Sequence, residues 1–438
     1  MRSSILAGML LGLGGASTSG LAQPACPSVP ADVHKANAAA QSLFEQRAIR
    51  PGGAASKTRP PGMESALVNG ARGDGVADDT QALQAALKKR GAVWLETGRV
   101  FRITRRLELG TGAALVSDGT ATILLSAAAG AFDNTAARRS DAALYGERGA
   151  GLRVSGERVT LSDFFLVKEY ADGKHVIGID VVSAADVVIR RVRLRGFSLA
   201  PGIVSIRSSD NVEVSSSLVQ GCSRVRPAAE DPAAAPVTGI AVDDERVGDR
   251  ASSGVQLRNN VIDVRMHGPV ARGNPSDGIR MAAIGGGKGS AIVDNDIQGA
   301  DEALDLAGQG IEVRGNRLTA AGRALRLADG ARNVAVIGNE FKPGSRGHAI
   351  ALQRARPPEG IRQVKAIRIE RNRFQLRTAE RPGVLVEDDG EYSPTGISLR
   401  DNQFLLGDCR QVAVQCSARQ CTQAGNDIEF LRNLPKCK

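Results

Sequence analysis

The sequence predicts an all-β solenoid, a parallel β-helix, and three observations predict it. The first is a phrase that keeps returning: a small polar or charged pair, then Gly or Ala, then an apolar–variable–apolar triplet. It starts at Ser276, Asp301, Gly322 and Gly347, 25, 21 and 25 residues apart, and a period of that size belongs to solenoids. The second is an asparagine phrase in step with it, at Asn295, Asn316, Asn339, Asn372 and Asn402. In a stacked coil the same turn recurs on every rung, so an Asn there can take a left-handed backbone and hydrogen-bond the copies above and below. The third is periodicity: Val334 to Ile337 and Ile367-Arg368-Ile369 alternate with a period of two, which excludes helical repeats. No rung can bury its apolar residues alone, and stacking makes one continuous core.

Taken from its start, the chain opens on Arg2 and the apolar run Ile5 to Leu13, then small residues up to Ala22. This reads as a signal peptide over residues 1–22, so the mature protein is expected to be secreted or periplasmic, with no membrane contact after cleavage. Residues 23–62, rich in Ala, Pro, Ser and basic residues, read as a linker or loosely held arm in which Val33 to Arg47 could form a short helix. The stretch Gly73-Asp74-Gly75-Val76-Ala77-Asp78-Asp79-Thr80 is a glycine turn leading into a helix with Leu83, Ala86 and Leu87 on one apolar face. Asp78 and Asp79 sit where caps belong, so they are assigned to structure rather than catalysis. A helix here would cover the open end of the first rung.

Rungs are expected over residues 63–406. Prolines at 227, 232 and 236 mark a loop leaving the stack, because proline removes a ladder donor. Residues 407–438 hold Cys409, Cys416, Cys421 and Cys437 in spacings that make no zinc pattern, and are expected to form a disulfide-bonded cap, the four pairing among themselves and leaving Cys26 with Cys222. The formal charge of +10 favours polyanions as partners. No nucleic-acid motif, phosphate loop or nucleophile elbow is present, so the partner expected is an acidic polysaccharide rather than nucleic acid.

The segment from Asn69 to Ile103 resembles the N-terminal signature of the pectate lyase superfamily of right-handed parallel β-helix proteins, which includes polygalacturonase-type glycoside hydrolases. The resemblance implies a single-stranded right-handed parallel β-helix with an N-terminal capping helix. The same entry serves hydrolases, lyases, epimerases and adhesins, so the chemistry has to come from the columns that stacking makes.

Stacking aligns equivalent positions about 4.8 Å apart. One column is expected to hold Thr238, Asp277, Glu302, Arg323 and His348; a second, three residues later, Asp180, Ala241, Arg280, Asp305, Arg326 and Ala351. Close carboxylates raise one another's pKa, as a general acid requires, while arginines hold others ionised. A ladder of surface ion pairs is the plainer alternative. In polygalacturonase-type enzymes an Asn-Thr-Asp-Gly phrase is followed by an Asp-Asp pair. Asn274-Pro275-Ser276-Asp277-Gly278 is similar to the first and Asp301-Glu302 to the second. The resemblance therefore implies Asp301 as general acid, with Asp277 and Glu302 activating water in an inverting hydrolysis. Arg280, Arg323, Arg326, His348 and Asp305 would bind a uronate chain. The family's Gly-His-Gly phrase is replaced by Gly322-Arg323-Ala324, with Gly347-His348-Ala349 one rung later, and its Arg-x-Lys phrase is absent.

The hydrolase needs no cofactor. A polysaccharide lyase or C5-epimerase is the alternative, with Lys168, Arg323 or His348 as base and a Ca²⁺ ion held by Asp277, Asp301, Glu302 and Asp305. A non-catalytic glycan-binding protein is the third reading. All depend on one geometric point: strict alternation from Ile279 and Met281 would turn Asp277 into the core, so the turn before Gly278 must break it.

Overall fold

A computed structural model describes residues 32–126, 149–169, 176–197, 200, 202–224, 237–243, 250–267, 276–282, 287–328, 330–345, 347–354, 363–377, 381–388, 391–416 and 421–430. The expected signal peptide over residues 1–22, Cys26, Cys437, the proline-marked loop and Asn274-Pro275 lie outside them.

Among the described residues the strands stack into three all-parallel sheets of 13, 13 and 11 strands. One rung shows the path. The strand Asp277–Ala282 lies in the third sheet, Ala291–Val293 in the first, Asp296–Gln298 in the second, and Glu302–Ala307 returns to the third beside Asp277–Ala282. Val, Ile, Leu and Ala from every rung meet in one continuous core, in which Phe341, Phe374 and Phe404 stack with ring centroids 5.0 and 4.5 Å apart. The parallel β-helix expected from the repeats is the fold. The coil runs further than expected: strands at Val414–Cys416, Cys421–Ala424 and Asp427–Phe430 extend all three sheets past Leu406. A disulfide joins Cys416 to Cys421. Cys222 and Cys409 are also disulfide-bonded, and any pairing with Cys26 or Cys437 lies outside the described residues.

The asparagines form the expected ladder, longer by two members. Asn260, Asn295, Asn316, Asn339, Asn372, Asn402 and Asn426 each accept, through Oδ1, from the backbone N–H and the Nδ2 of the Asn on the preceding rung, except Asn260, which accepts from the backbone of Ser217. One part of the expectation is corrected. The left-handed residue is not the ladder Asn but the one before it, as at Asp294 (φ 55°) and Gly338 (φ 62°). That turn residue bends the chain between sheets and so leaves the Asn side chain pointing inward.

The Gly/Ala position of the repeated phrase explains itself. Ala303, Ala324 and Ala349 are wholly buried in the core, and so are the residues that follow them, Leu304, Leu325 and Ile350. A Cβ on Gly278 would clash with Cγ2 of Ile297 and stand 2.6 Å from the Ala303 carbonyl oxygen. Two successive inward residues break the alternation, and the inner one must be small because the opposite sheet is close. The residue before, Asp277, Glu302, Arg323 or His348, is thereby carried to the outer side. Gly278→Ala should cost about 1–3 kcal/mol, since backbone must move to admit the methyl; an unchanged denaturation midpoint would contradict this close packing.

Helix α2 (Thr80–Arg90) covers the N-terminal end with Leu83, Ala86 and Leu87 buried, as expected. The acidic pair before it is structural. Asp79 accepts from the backbone of Arg72 and Gly73 at 2.6 and 3.1 Å, and Asp78 accepts from the Thr80 backbone at 3.0 Å.

Helix α1 (Val33–Arg47) is docked, not loose. Ala36, Ala40 and Phe44, four residues apart, face one way. Ala40 and Phe44 pack on outward-facing Leu124, Phe165, Val167, Leu218 and Val261 of the second sheet. Arg193 lies 4.0 Å over the Phe44 ring, Arg47 pairs with Asp296 at 2.8 Å, and Asn37 donates to Thr122 at 2.7 Å. No helix among the described residues is long and apolar enough to cross a membrane.

Candidate functional site

The third sheet assembles the two predicted columns. Its register runs from Asp180 through Ser205, Ala241, Arg280, Asp305 and Arg326 to Ala351, so the second column is as expected with Ser205 added. Asp277 pairs with Glu302 in the first column, and Arg323 continues it through an ion pair to Glu302.

Three carboxyl groups converge there. Asp277, Glu302 and Asp305 each place an oxygen within 4.8 Å of the others. Asp305, expected as a substrate contact, thus belongs to the cluster, while Asp301 stands apart with its side chain against Gly322. Although outward-facing, Asp277 is 2% exposed and Glu302 0%. Oδ1 of Asp277 and Oε2 of Glu302 have no hydrogen-bond partner among the described residues, and Oε1 of Glu302 meets the Arg323 guanidinium as an ion pair. Burial, then the charge of Asp305, holds the Asp277 carboxyl well above the usual carboxylate range, against Arg280. Burial and Asp305 likewise push Glu302 up to about 7, against Arg323 and Arg326. Burial also raises Asp301, against Arg323. Buried carboxyls without hydrogen bonds favour the neutral form.

The cations are largely committed. Arg326 pairs with Asp305 at 3.1 Å. Arg323 reaches Glu302 with one nitrogen and the Gln353 side chain with another, and Gln353 donates in turn to Glu387 at 3.3 Å. Arg323 therefore serves first to hold Glu302. His348, 5% exposed, has Nδ1 2.9 Å from the Pro382 carbonyl, so in the neutral ring Nδ1–H donates there and Nε2 carries the lone pair. Burial lowers its pKa, partly offset by that hydrogen bond. Lys168, offered as a base, lies in the second sheet several rungs earlier and is not part of the cluster. Sequence reasoning did not find Gln353, Pro382 or Glu387. Gln353 and Glu387 follow third-sheet strands, a position the repeated phrase does not mark.

A cluster of this kind can exchange protons near neutral pH. Its donor set, three hard carboxylate oxygens with one orphaned at Asp277, also fits a divalent cation.

No protein-family model matches the chain, and no characterised protein matches it in sequence. Solved structures do. The surface adhesin PfbA of Streptococcus pneumoniae superposes with a TM-score of 0.60 at 13% identity, over 84% of this chain and 97% of its own. A double-mutant tailspike of the E. coli bacteriophage HK620, in complex with a pentasaccharide, gives 0.54 at 11% identity, over 90% and 73%. The mannuronan C-5 epimerase AlgE6 A-module of Azotobacter vinelandii gives 0.49 at 15% identity, over 83% and 99%. At such identities the likeness to the adhesin and the tailspike is one of fold, and it agrees with the three parallel sheets. The chain is a right-handed parallel β-helix protein.

Proposed function

We propose that the chain is an exported polysaccharide-cleaving enzyme, an inverting glycoside hydrolase acting on a uronate-containing chain. The observation that carries this reading is the buried pair Asp277 and Glu302 beside a separate, protonatable Asp301. Buried carboxyls with raised pKa values are costly to keep, and a surface ion-pair ladder would not need them. Asp301 gives its proton to the glycosidic oxygen as the bond to the anomeric carbon breaks. Water attacks that carbon from the opposite face and passes a proton to the Asp277–Glu302 pair, which acts as the base. The acid and base then stand roughly 6.5–9.5 Å apart across the sugar. Arg280, Arg326 and His348 bind the substrate, and Arg323 holds Glu302. The cited tailspike complex, a β-helix with a bound pentasaccharide, supports a glycan partner.

The base must be ionised and Asp301 protonated, so turnover should be bell-shaped in pH, with the ionisation of Glu302 at about 7 setting one limb. Arg323→Gln removes a charge that favours ionised Glu302. Its pKa then rises, as does that of Asp301, and the limb set by Glu302 should move to higher pH by roughly 0.5–1 unit. An unmoved limb would assign it to another group.

The fit of Asp277, Glu302 and Asp305 to a cation favours a second reading, elimination or epimerisation at a uronate. There the ion, held by these three, would draw charge from the substrate carboxylate, and Nε2 of His348 would take the proton. Purified protein incubated with a panel of acidic polysaccharides decides between them. New reducing ends without ultraviolet absorbance, insensitive to chelator and lost in Asp301→Asn, are the hydrolase result. Absorbance that rises with reducing ends and falls with chelator overturns it for the lyase.

A further inference from the structure

The first sheet carries a separate groove of about 720 Å³ on its outer face, lined by Asp186, Asn211, Glu213, Gly254, Gln256 and Lys288 among others. It spans four rungs, because Val188, Glu213, Gln256 and Ala291 are successive partners in the ladder. The carboxylate cluster stands on another sheet, so the two sites face different directions.

The groove is organised by left-handed turns. Asp186 (φ 54°), Asn211 (φ 52°) and Gly254 (φ 64°) fall at successive rungs of the same corner. A Cβ on Gly254 would stand 2.6 Å from Oδ1 of Asn211, so glycine keeps the floor open there. Asn211 is held by its amide donating to Asp186 at 3.1 Å, and Gln256 by donating to the Gly289 carbonyl at 2.8 Å. The side chains of Glu213 and Lys288 take no partner among the described residues. Fixed amides with a free acceptor and a free donor, beside Val187 and Val188 at one concave surface, can orient a polar ligand.

We infer that this groove binds an uncharged, hydroxyl-rich oligosaccharide at a position distinct from the carboxylate cluster. Sugar hydroxyls both donate and accept, matching Glu213 and Lys288 together. Two acidic residues, Asp186 and Glu213, against one lysine disfavour a uronate. With no aromatic platform among the lining residues, recognition is by hydrogen bonds.

The inference shares the glycan reading of the protein but not its chemistry, and the test separates them. Saturation-transfer NMR is run on the full protein with cello-, malto- and xylo-oligosaccharides, and with oligogalacturonate as the charged control. Transfer to at least one uncharged oligosaccharide is expected. It should weaken tenfold or more in Glu213→Ala combined with Lys288→Ala, and in Gln256→Trp, which fills the groove. It should persist in Glu302→Gln, which removes turnover. Unchanged melting temperatures show that the variants are folded. Transfer only to oligogalacturonate, transfer indifferent to the groove variants, transfer lost in Glu302→Gln, or none at all would each overturn the inference.

Discussion

Asp277→Asn is expected to abolish turnover and to make the protein more stable. A lost base lowers the rate by about 10²–10⁴. The stability gain follows from burial: Asp277 is enclosed, its Oδ1 lacks a hydrogen-bond partner, and its folded-state pKa lies well above its unfolded value. The stability contributed by its protonated form is present at low pH and is lost as pH climbs through the folded pKa. Asparagine imitates the protonated form at every pH. The variant should therefore melt about 2–4 °C above wild type near pH 8 and close to it near pH 4, as sites kept for function commonly do. Thermal denaturation at the two pH values measures it. A fall in melting temperature near pH 8 would mean that Asp277 is held by structural ion pairs, and that the cluster is not a site.

Asn339→Ala should be the most damaging single change on the opposite side of the coil. Oδ1 of Asn339 accepts from both the backbone and the side chain of Asn316, at 2.9 Å each, and its Nδ2 donates to the Val313 carbonyl and to Asn372 at 2.9 and 3.0 Å. The residue is 1% exposed. Truncation leaves the buried amide of Asn316 and the carbonyl of Val313 unsatisfied where water does not reach, at about 3–5 kcal/mol in total. Asn426, half-buried at the end of the same ladder, accepts only from Asn402 among its ladder neighbours. Asn426→Ala should cost about 1 kcal/mol. Chemical denaturation of the pair checks the ladder, and equal losses would show that it is not cooperative along its length.

The same two regions mark what could be read from residues alone. The ladder was legible because Asn recurs once per rung, and the register of Arg280, Asp305 and Arg326 because a fixed period forces equivalent positions into columns. Helix α2 was legible as a local signal, whereas the Asp79 side chain does not cap it and instead accepts from the backbone of Arg72 and Gly73. The docking of α1 was not. The apolar patch it covers is drawn from Leu124, Phe165, Val167, Leu218 and Val261, residues that become neighbours only through stacking.

Within the candidate site, the sequence by itself determined which carboxylates and arginines share a column, since that depends only on the repeat. The tertiary structure decided which way they point and how they titrate. Asp277 and Glu302 face outward because two successive inward residues, Gly278 with Ile279 and Ala303 with Leu304, break the alternation against a close opposite sheet. Their raised pKa values come from enclosure, and the diversion of Arg323 to Glu302 and Gln353 from contacts across rungs. Burial and charge pairing are properties of surroundings assembled from distant segments, and a periodic sequence specifies the assembly without spelling out the surroundings.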